Sequence, residues 1–544
     1  VSQQTLGELK ASEDGTAASG VAPVSGNAEA LTVTKLVVNW NYYAIFVIAL
    51  AFVSAGYTIF GGLKAVVWTD FIQSMLLLAA GLLIAFLTFQ ELGGWGEMMA
   101  FDQAADAAGG NGRMHLYLPT NHPALPWTGV FTGLMAMHCF YWGTNQFIVQ
   151  RALGARSDSD AKLGIIAAGF LKLLIPFFAI GTGVAAFYLF HEKMPERQVA
   201  SDSAFSELVP AVIPAGLGLI GLIFAGLIGA ILSSIDSMMN SAATLFTIDV
   251  YKRYFRPDAS DADMIRVGRL AIVVFVVSAT LMALFVLDPN SEGSFFLTIV
   301  DYQNYLTPGL LVAFLLGMFW KRGTATAAFI TIAAGIAFSW VAEAGYNSQY
   351  GMAASLYQVA SGAVELDSVK LSSLPDGLKT ASSTEIIAAV DAARASLNPV
   401  NRFLGPSLNF FHRVVFVLLF SGICHVVVSF LTRPDPVKSR LNWVELGGHT
   451  RKGATTLLTL ILVSLVVFAV FAIAMVKLWL SPTSAASLGA IWTLVVFQSH
   501  IFANRRTPES ASADSEAVVP IIRDDRFWAS LLCSAAVFMH YFYY

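Results

Sequence analysis

Between residue 41 and the tyrosines at its end, the chain repeatedly runs for twenty or more residues with almost no charge. A run of that length crosses the roughly 30 Å hydrocarbon core of a bilayer as a helix, with every backbone donor and acceptor satisfied inside the segment. Twelve such runs stand near 41–62, 66–92, 125–151, 162–190, 216–250, 265–287, 295–320, 324–344, 408–432, 453–480, 484–503 and 524–543. The expected fold class is therefore an all-α polytopic membrane protein lying in a lipid bilayer. Only 12% of residues are charged, against about 25% in soluble domains. The net charge of −4 offers nothing to nucleic acid. Cys139, Cys424 and Cys533 lie in apolar segments without metal-ligand spacing and read as packing residues.

Lysine and arginine gather in alternate loops, around 64, 151–162, 252–269, 321–322, 433–452 and 505–523, whereas 288–294 carries none. The positive-inside bias makes the basic loops cytoplasmic and both chain ends external, in a multi-pass protein of the inner (plasma) membrane. Residues 1–40 are polar, begin with Val1 and contain no signal-peptide pattern. An external start without such a signal suggests a loop of a truncated chain, with an even number of upstream spans missing. Two more external loops, 93–123 and 345–407, are long, and the second has a weak helical pattern at 383–397.

Polar residues inside these runs are functional candidates, because lipid cannot satisfy them. In 224–255, Ser233, Ser237, Ser241 and Thr244 fall on one helical face with Ser234 and Asn240 beside them. Hydroxyl and carbonyl oxygens are what a small hard cation takes as ligands. Asp236 and Asn240, one turn apart, are expected to satisfy each other. Lys172 lies about 15 Å from the nearest basic loop at 1.5 Å per residue, too deep for easy snorkelling. Asp70 either pairs with Lys64 or supplies a carboxylate to a second cation site. Phe140, Tyr141 and Trp142 run into Gly143, Thr144 and Asn145, the pattern of a broken helix with an aromatic platform for a solute. His138, one turn before Trp142, is either structural or a hydrogen-bonding partner of that solute. In 301–309, Asp301 and Gln303 line the pathway, or Asp301 marks the outer end of its span, and Pro308 suits a hinge. No nucleophile–base pair or metal cluster suggests an enzyme.

Five blocks carry a family resemblance: GGLKAVVWTDFIQ (61–73), YWGTNQFIVQRAL (141–153), GFLKLLIP (169–176), ILSSIDSMMNSAATLFTIDVYKRY (231–254) and TPGLLVAFLLGMFWKR (307–322). In order and spacing, over about 41–345, the chain resembles the sodium/solute symporters. The likeness is strongest to bacterial sodium/galactose transporters related to the sodium/glucose cotransporters. The terminal DDRFWASLLCSAAVFMHYFYY is similar to the last helix of that type. The resemblance implies an inverted five-helix-repeat (LeuT-like) transporter fold, with about 12 transmembrane helices present and the first repeat incomplete. Residues 41–92 match the last two helices of the first repeat and 124–322 the whole second repeat. A peripheral helix at 323–344 follows, then peripheral C-terminal helices over 408–544 that include an added hairpin at 453–503.

By the same resemblance, the Ala230 carbonyl and the Ser233 and Ser234 hydroxyls belong to a sodium site, and Asp70 is a candidate for a second one. Tyr141 matches a gate tyrosine that stacks on the sugar, and Lys172 a lysine that hydrogen-bonds it. Two positions depart from the galactose pattern. His138 replaces an asparagine and Val300 replaces a glutamine, a role that a local shift gives to Gln303. The function implied is sodium-coupled import of a small solute, a sugar or polyol, with the oligomeric state unread. The alternatives are a carboxylate or amino-acid symporter of the same fold, or a transporter-like membrane sensor.

Overall fold

The computed structural model describes residues 2–4, 35–109, 112–115, 118–122, 125–195, 199, 203–214, 216, 218–287, 295–360, 399–405, 408–436, 451–503 and 521–543. Strands among them are confined to an antiparallel pair, β1 (Ser2–Gln4) and β2 (Lys35–Val37). The helices follow as α1 (Trp40–Leu92), α2 (Trp95–Gly109), α3 (127–143), α4 (Gln146–Leu153) and α5 (Asp158–Lys193). Next come α6 (Ala204–Val212), α7 (Leu219–Phe255), α8 (Asp261–Phe285), α9 (Phe295–Phe319) and α10 (Ala325–Ala360). The last are α11 (Pro399–Leu404), α12 (Phe410–Leu431), α13 (Arg451–Val476), α14 (Pro482–Ala503) and α15 (Asp525–Phe542). Most of the expected 1–40 and 345–407 segments, including 383–397, lies outside the described residues. The expected external loop at 93–123 contains a helix, α2, and α10 runs past residue 345, where a loop was expected.

All twelve apolar runs fall on helices. Eight helices, among the described residues, are long and apolar enough to cross a membrane. The two numbers differ because α1 carries two of the runs. In addition, 125–151 divides into α3 and α4, while α9 and α15 hold too many polar residues for the same criterion.

The α1 helix has 53 residues, or about 80 Å at 1.5 Å per residue, far more than one crossing needs. It is divided at Gly62, whose φ of 57° and ψ of −161° lie where only glycine rests without strain. Gly61 is needed too, since a Cβ there would sit 2.2 Å from the Ala65 Cβ. Gly62→Ala is expected to cost about 1–3 kcal/mol through backbone strain. Thermal melting of the purified protein in detergent checks this, and an unchanged melting temperature would refute it.

The chain forms two compact units, Val1–Arg113 with Leu171–Ser294, and Met114–Phe170 with Phe295–Tyr544. In the first, α7 approaches the second arm of α1 through glycines. A Cβ on Gly229 would lie 3.3 Å from Gln73, and one on Gly226 would lie 2.8 Å from Ala80. As α7 advances from 226 to 229, its contacts on α1 retreat from 80 to 73, so this arm runs antiparallel to α7. Small residues let backbones meet where lipid supplies no hydrophobic drive. Ala243 of α7 packs with Ala271, Ile272 and Val276 of α8, against Ala51, Ala55 and Ile59 of α1. The α2 helix is held by buried Asp102, which accepts from the Tyr188 hydroxyl at 2.7 Å and the Arg113 backbone N–H at 2.6 Å. The Arg113 guanidinium lies 3.8 Å from the centre of the Phe187 ring.

In the second unit, α10 and α12 pair antiparallel in one strict register. Thr324 meets Thr432 at 2.7 Å and Thr331 meets His425 at 3.3 Å. A Cβ on Gly335 would lie 2.9 Å from the Ser421 hydroxyl, and Glu343 pairs with Arg413. Each step along one helix is matched by an equal step back along the other. The α9 helix lies against this pair, and a Cβ on Gly309 would come within 3.1 Å of the Ile332 Cα. It runs as one helix through buried Pro308. Near the end of the chain, α14 and α15 are joined by Gln498 to Ser530 at 2.7 Å and by Ser534 to the Ala490 carbonyl at 2.8 Å. Tyr541 donates to the Phe468 carbonyl of α13 at 2.6 Å.

Candidate functional site

The serine helix α7 brings three of the expected ligand atoms together within one turn. Ser233 Oγ and Ser234 Oγ each donate to the Ala230 carbonyl oxygen at 3.1 Å. The i−3 and i−4 geometry of a helix makes this convergence possible. Ser233 is half-buried and Ser234 exposed, so the oxygens sit at an accessible edge of the helix. Beyond them the stripe turns inward. Ser237 is buried and donates to the Ser233 carbonyl at 2.8 Å, and Ser241 is buried too.

Asp236 overturns the expectation that it satisfies Asn240. The buried carboxylate accepts from the Ser54 hydroxyl of α1 through Oδ1, while its Oδ2 makes no hydrogen bond. The reason is direction, since Asp236 points into the α1 interface that also holds Ser54. Asp70 lies half-buried on the second arm of α1, one turn before Gln73, which touches Gly229. It therefore stands on the helix that packs beside Ala230.

The break expected after the aromatic cluster is present. The α3 helix ends at Gly143, Asn145 is extended at φ −73° and ψ 119°, and α4 begins at Gln146. Three donors close the end on the Phe140 carbonyl: the Thr144 N–H at 2.9 Å, the Asn145 N–H at 3.1 Å and the Thr144 hydroxyl at 2.9 Å. The Tyr141 ring is braced edge-on by Trp142, at 5.4 Å, and across the break by Phe147, at 5.7 Å. Both contacts have the edge-to-face geometry that ring quadrupoles favour. His138 stands exposed one turn earlier on α3. Gln303 is exposed on α9, whereas its neighbour Asn304 is fully buried and its amide makes no hydrogen bond. Lys172 is exposed on α5, four residues before Pro176, where the helix loosens into a π turn (Pro176–Ile180). Lys172 belongs to the first unit, and Tyr141, His138 and Gln303 to the second.

A cluster that sequence reasoning passed over lies on α9, α10 and α12. Arg413, 1% exposed, holds Asp301 Oδ1 at 2.6 Å and pairs with Glu343. Its guanidinium also reaches the Asp301 carbonyl at 3.2 Å and lies 4.0 Å from the centre of the Tyr305 ring. The Tyr305 hydroxyl donates to Glu343. Asp301 is thus tied to a buried arginine, a partner that neither reading of it as a pathway wall or a span end supplied. Arg413 and Glu343 stand close to the ends of their runs, which hid them. A charge in the first turn of an otherwise apolar helix was the available signal.

Comparison with known proteins gives a consistent answer. A model of the sodium:solute symporter family matches residues 25–335. A sodium/glucose cotransporter of Vibrio parahaemolyticus is 36% identical over 309 residues, covering 54% of this chain and 56% of that protein. A bovine sodium/mannose cotransporter is 34% identical over 326 residues, covering 55% and 53%, and a bovine sodium/myo-inositol cotransporter is 33% identical over 318. The chain thus spans about half the length of the curated relatives it matches. Among solved structures, a Na+-coupled sialic acid symporter in its substrate-bound outward-open state is 21% identical, with a TM-score of 0.50. That match covers 72% of this chain and 67% of the other, and it agrees with the inverted-repeat fold. With more than half of its length matched by the family model and its helices arranged as described, the chain belongs to the sodium:solute symporter family.

Proposed function

We propose that the full-length protein is a sodium-coupled secondary symporter that imports a sugar or polyol across the inner membrane. The observation that carries this reading is the convergence of the Ser233 and Ser234 hydroxyls on the Ala230 carbonyl at an accessible helix edge. Three neutral oxygens one helical turn apart suit a small hard cation. The relatives named for sodium with glucose, mannose and myo-inositol support both the ion and the solute class. Asp70 is proposed as the acid of a second sodium site. Tyr141, His138 and Gln303 are proposed as solute contacts, and Lys172 keeps the hydrogen-bonding role that the family resemblance implies. The basic loops face the cytoplasm in this reading, and the protein moves its solute rather than converting it.

The work comes from differential affinity. Sodium must bind the outward-open state more tightly than the inward-open one, since a ligand with equal affinity for both shifts nothing. Loss of sodium to the cytoplasm then releases the solute. Proteoliposomes carrying the full-length protein test this with a panel of labelled hexoses and polyols under an inward sodium gradient. At least one member is expected to accumulate and to stop accumulating when sodium is replaced by N-methylglucamine. Uptake indifferent to that replacement defeats the proposal.

A further inference from the structure

The first turn of α12 touches α3 and α9, the helices to which Tyr141, His138 and Gln303 belong, and it does so with groups that have little freedom to move. On the side of α3, Gly129 and Gly133 leave room for Phe411. A Cβ on Gly133 would lie 2.0 Å from the Phe411 carbonyl oxygen, and one on Gly129 would lie 2.9 Å from the Phe411 Cβ. Beside them, the Thr128 hydroxyl meets His412 Nε2 at 2.7 Å. On the side of α9, Arg413 grips the side chain and the backbone carbonyl of Asp301 and stacks on Tyr305. Those two positions flank Gln303. Glu343 closes the ring by pairing with Arg413 and accepting from Tyr305. The side chain of Arg413 is 1% exposed, and a buried charge of this kind keeps its place only while its partners keep theirs.

We propose that residues 409–413 form a clamp that fixes the spacing and rotation of α3 and α9, so that Arg413 is a positioning residue for Tyr141, His138 and Gln303. The inference rests on the proposed solute roles of those three residues. Arg413 and Glu343 both lie beyond residue 335, where the family match ends. The clamp therefore places a determinant of solute recognition on a helix outside the family core. Arginine is the residue suited to it, because a planar fork can serve two carboxylates and a ring at once.

Three variants of the full-length protein test this: Arg413→Lys, Arg413→Met, and the triple variant R413M/D301N/E343Q. The triple variant carries no uncompensated buried charge, so it remains informative if Arg413→Met fails to fold. Uptake kinetics are expected to show the solute KM raised about tenfold or more in Arg413→Lys and in the triple variant. The sodium concentration for half-maximal uptake should change less than twofold. Spin labels at Thr132 and Tyr302, in a background without Cys139, Cys424 and Cys533, supply a second readout. Their distance distribution, measured without solute or sodium, should broaden in both variants. An unmoved KM, or an unmoved distribution, overturns the clamp. Absence of any transport by the unaltered protein defeats the functional proposal alone, and the label distances then decide the clamp by themselves.

Discussion

Replacing Ser233 and Ser234 together by alanine is expected to abolish sodium stimulation of uptake while leaving the fold at least as stable as before. The two halves of that result have separate causes. If each hydroxyl–sodium contact contributes as much as a hydrogen bond to a charged group, about 1.5–3 kcal/mol, losing two weakens sodium binding by roughly a hundredfold or more. In the folded protein, however, both hydroxyls only donate back to the Ala230 carbonyl of their own helix. Such back-bonding stabilises a helix little, and alanine is the better helix former. Uptake as a function of sodium concentration and thermal melting should therefore move in opposite directions, or melting should not move. A double variant that keeps its sodium stimulation would remove these serines from the coupling mechanism.

Gly133→Ala is expected to be the most damaging single-methyl insertion among the described glycines of the second unit. Its Cβ would lie 2.0 Å from a backbone carbonyl oxygen, where no rotamer change can relieve the overlap. Either α3 or the first turn of α12 must then shift by more than about 1 Å, at a cost near the upper end of the roughly 1–3 kcal/mol seen for overpacking. Gly183→Ala on α5 is the control. Nothing lies within 4 Å of its added methyl, and the better helix propensity should leave it neutral or stabilised. Melting in detergent separates the two, and equal melting temperatures would show that the contact at Gly133 yields easily.

Those two cases mark how far the sequence could be read. Apolar length located the long apolar helices but not α2, α6 or α11, and the Gly143–Asn145 break was visible because an aromatic run ended in a glycine and two small polar residues. Helical spacing made the stripe of Ser233, Ser237 and Ser241 legible, whereas Ala230 joined Ser233 and Ser234 only through the family resemblance. What could not be read was partnership across the chain. Asp236 has Asn240 one turn away in sequence, yet it bonds Ser54, 182 positions distant. Asp301 finds Arg413 across 112 positions. Periodicity reports which face a residue occupies and is silent on what packs there. Pro308 illustrates a different limit: a missing backbone donor need not break a helix that is packed on several sides.

The pairing of α10 with α12 has a consequence for how the second unit assembles. Ala327, Thr331, Gly335 and Ser339 recur every four residues along the contact face of α10, facing Val417, Ser421, His425 and Ser429 of α12. A slip of one turn, about 6 Å, would set His425 opposite Ala327 or Gly335 in place of Thr331 and would part Arg413 from Glu343. The ion pair resists such a slip, because a slipped arrangement strands a buried guanidinium without its carboxylate at a cost of several kcal/mol. In this respect the ion pair acts like the lone polar residue that selects one alignment in a coiled coil. It adds little to how strongly the two helices associate, but it makes all other alignments worse.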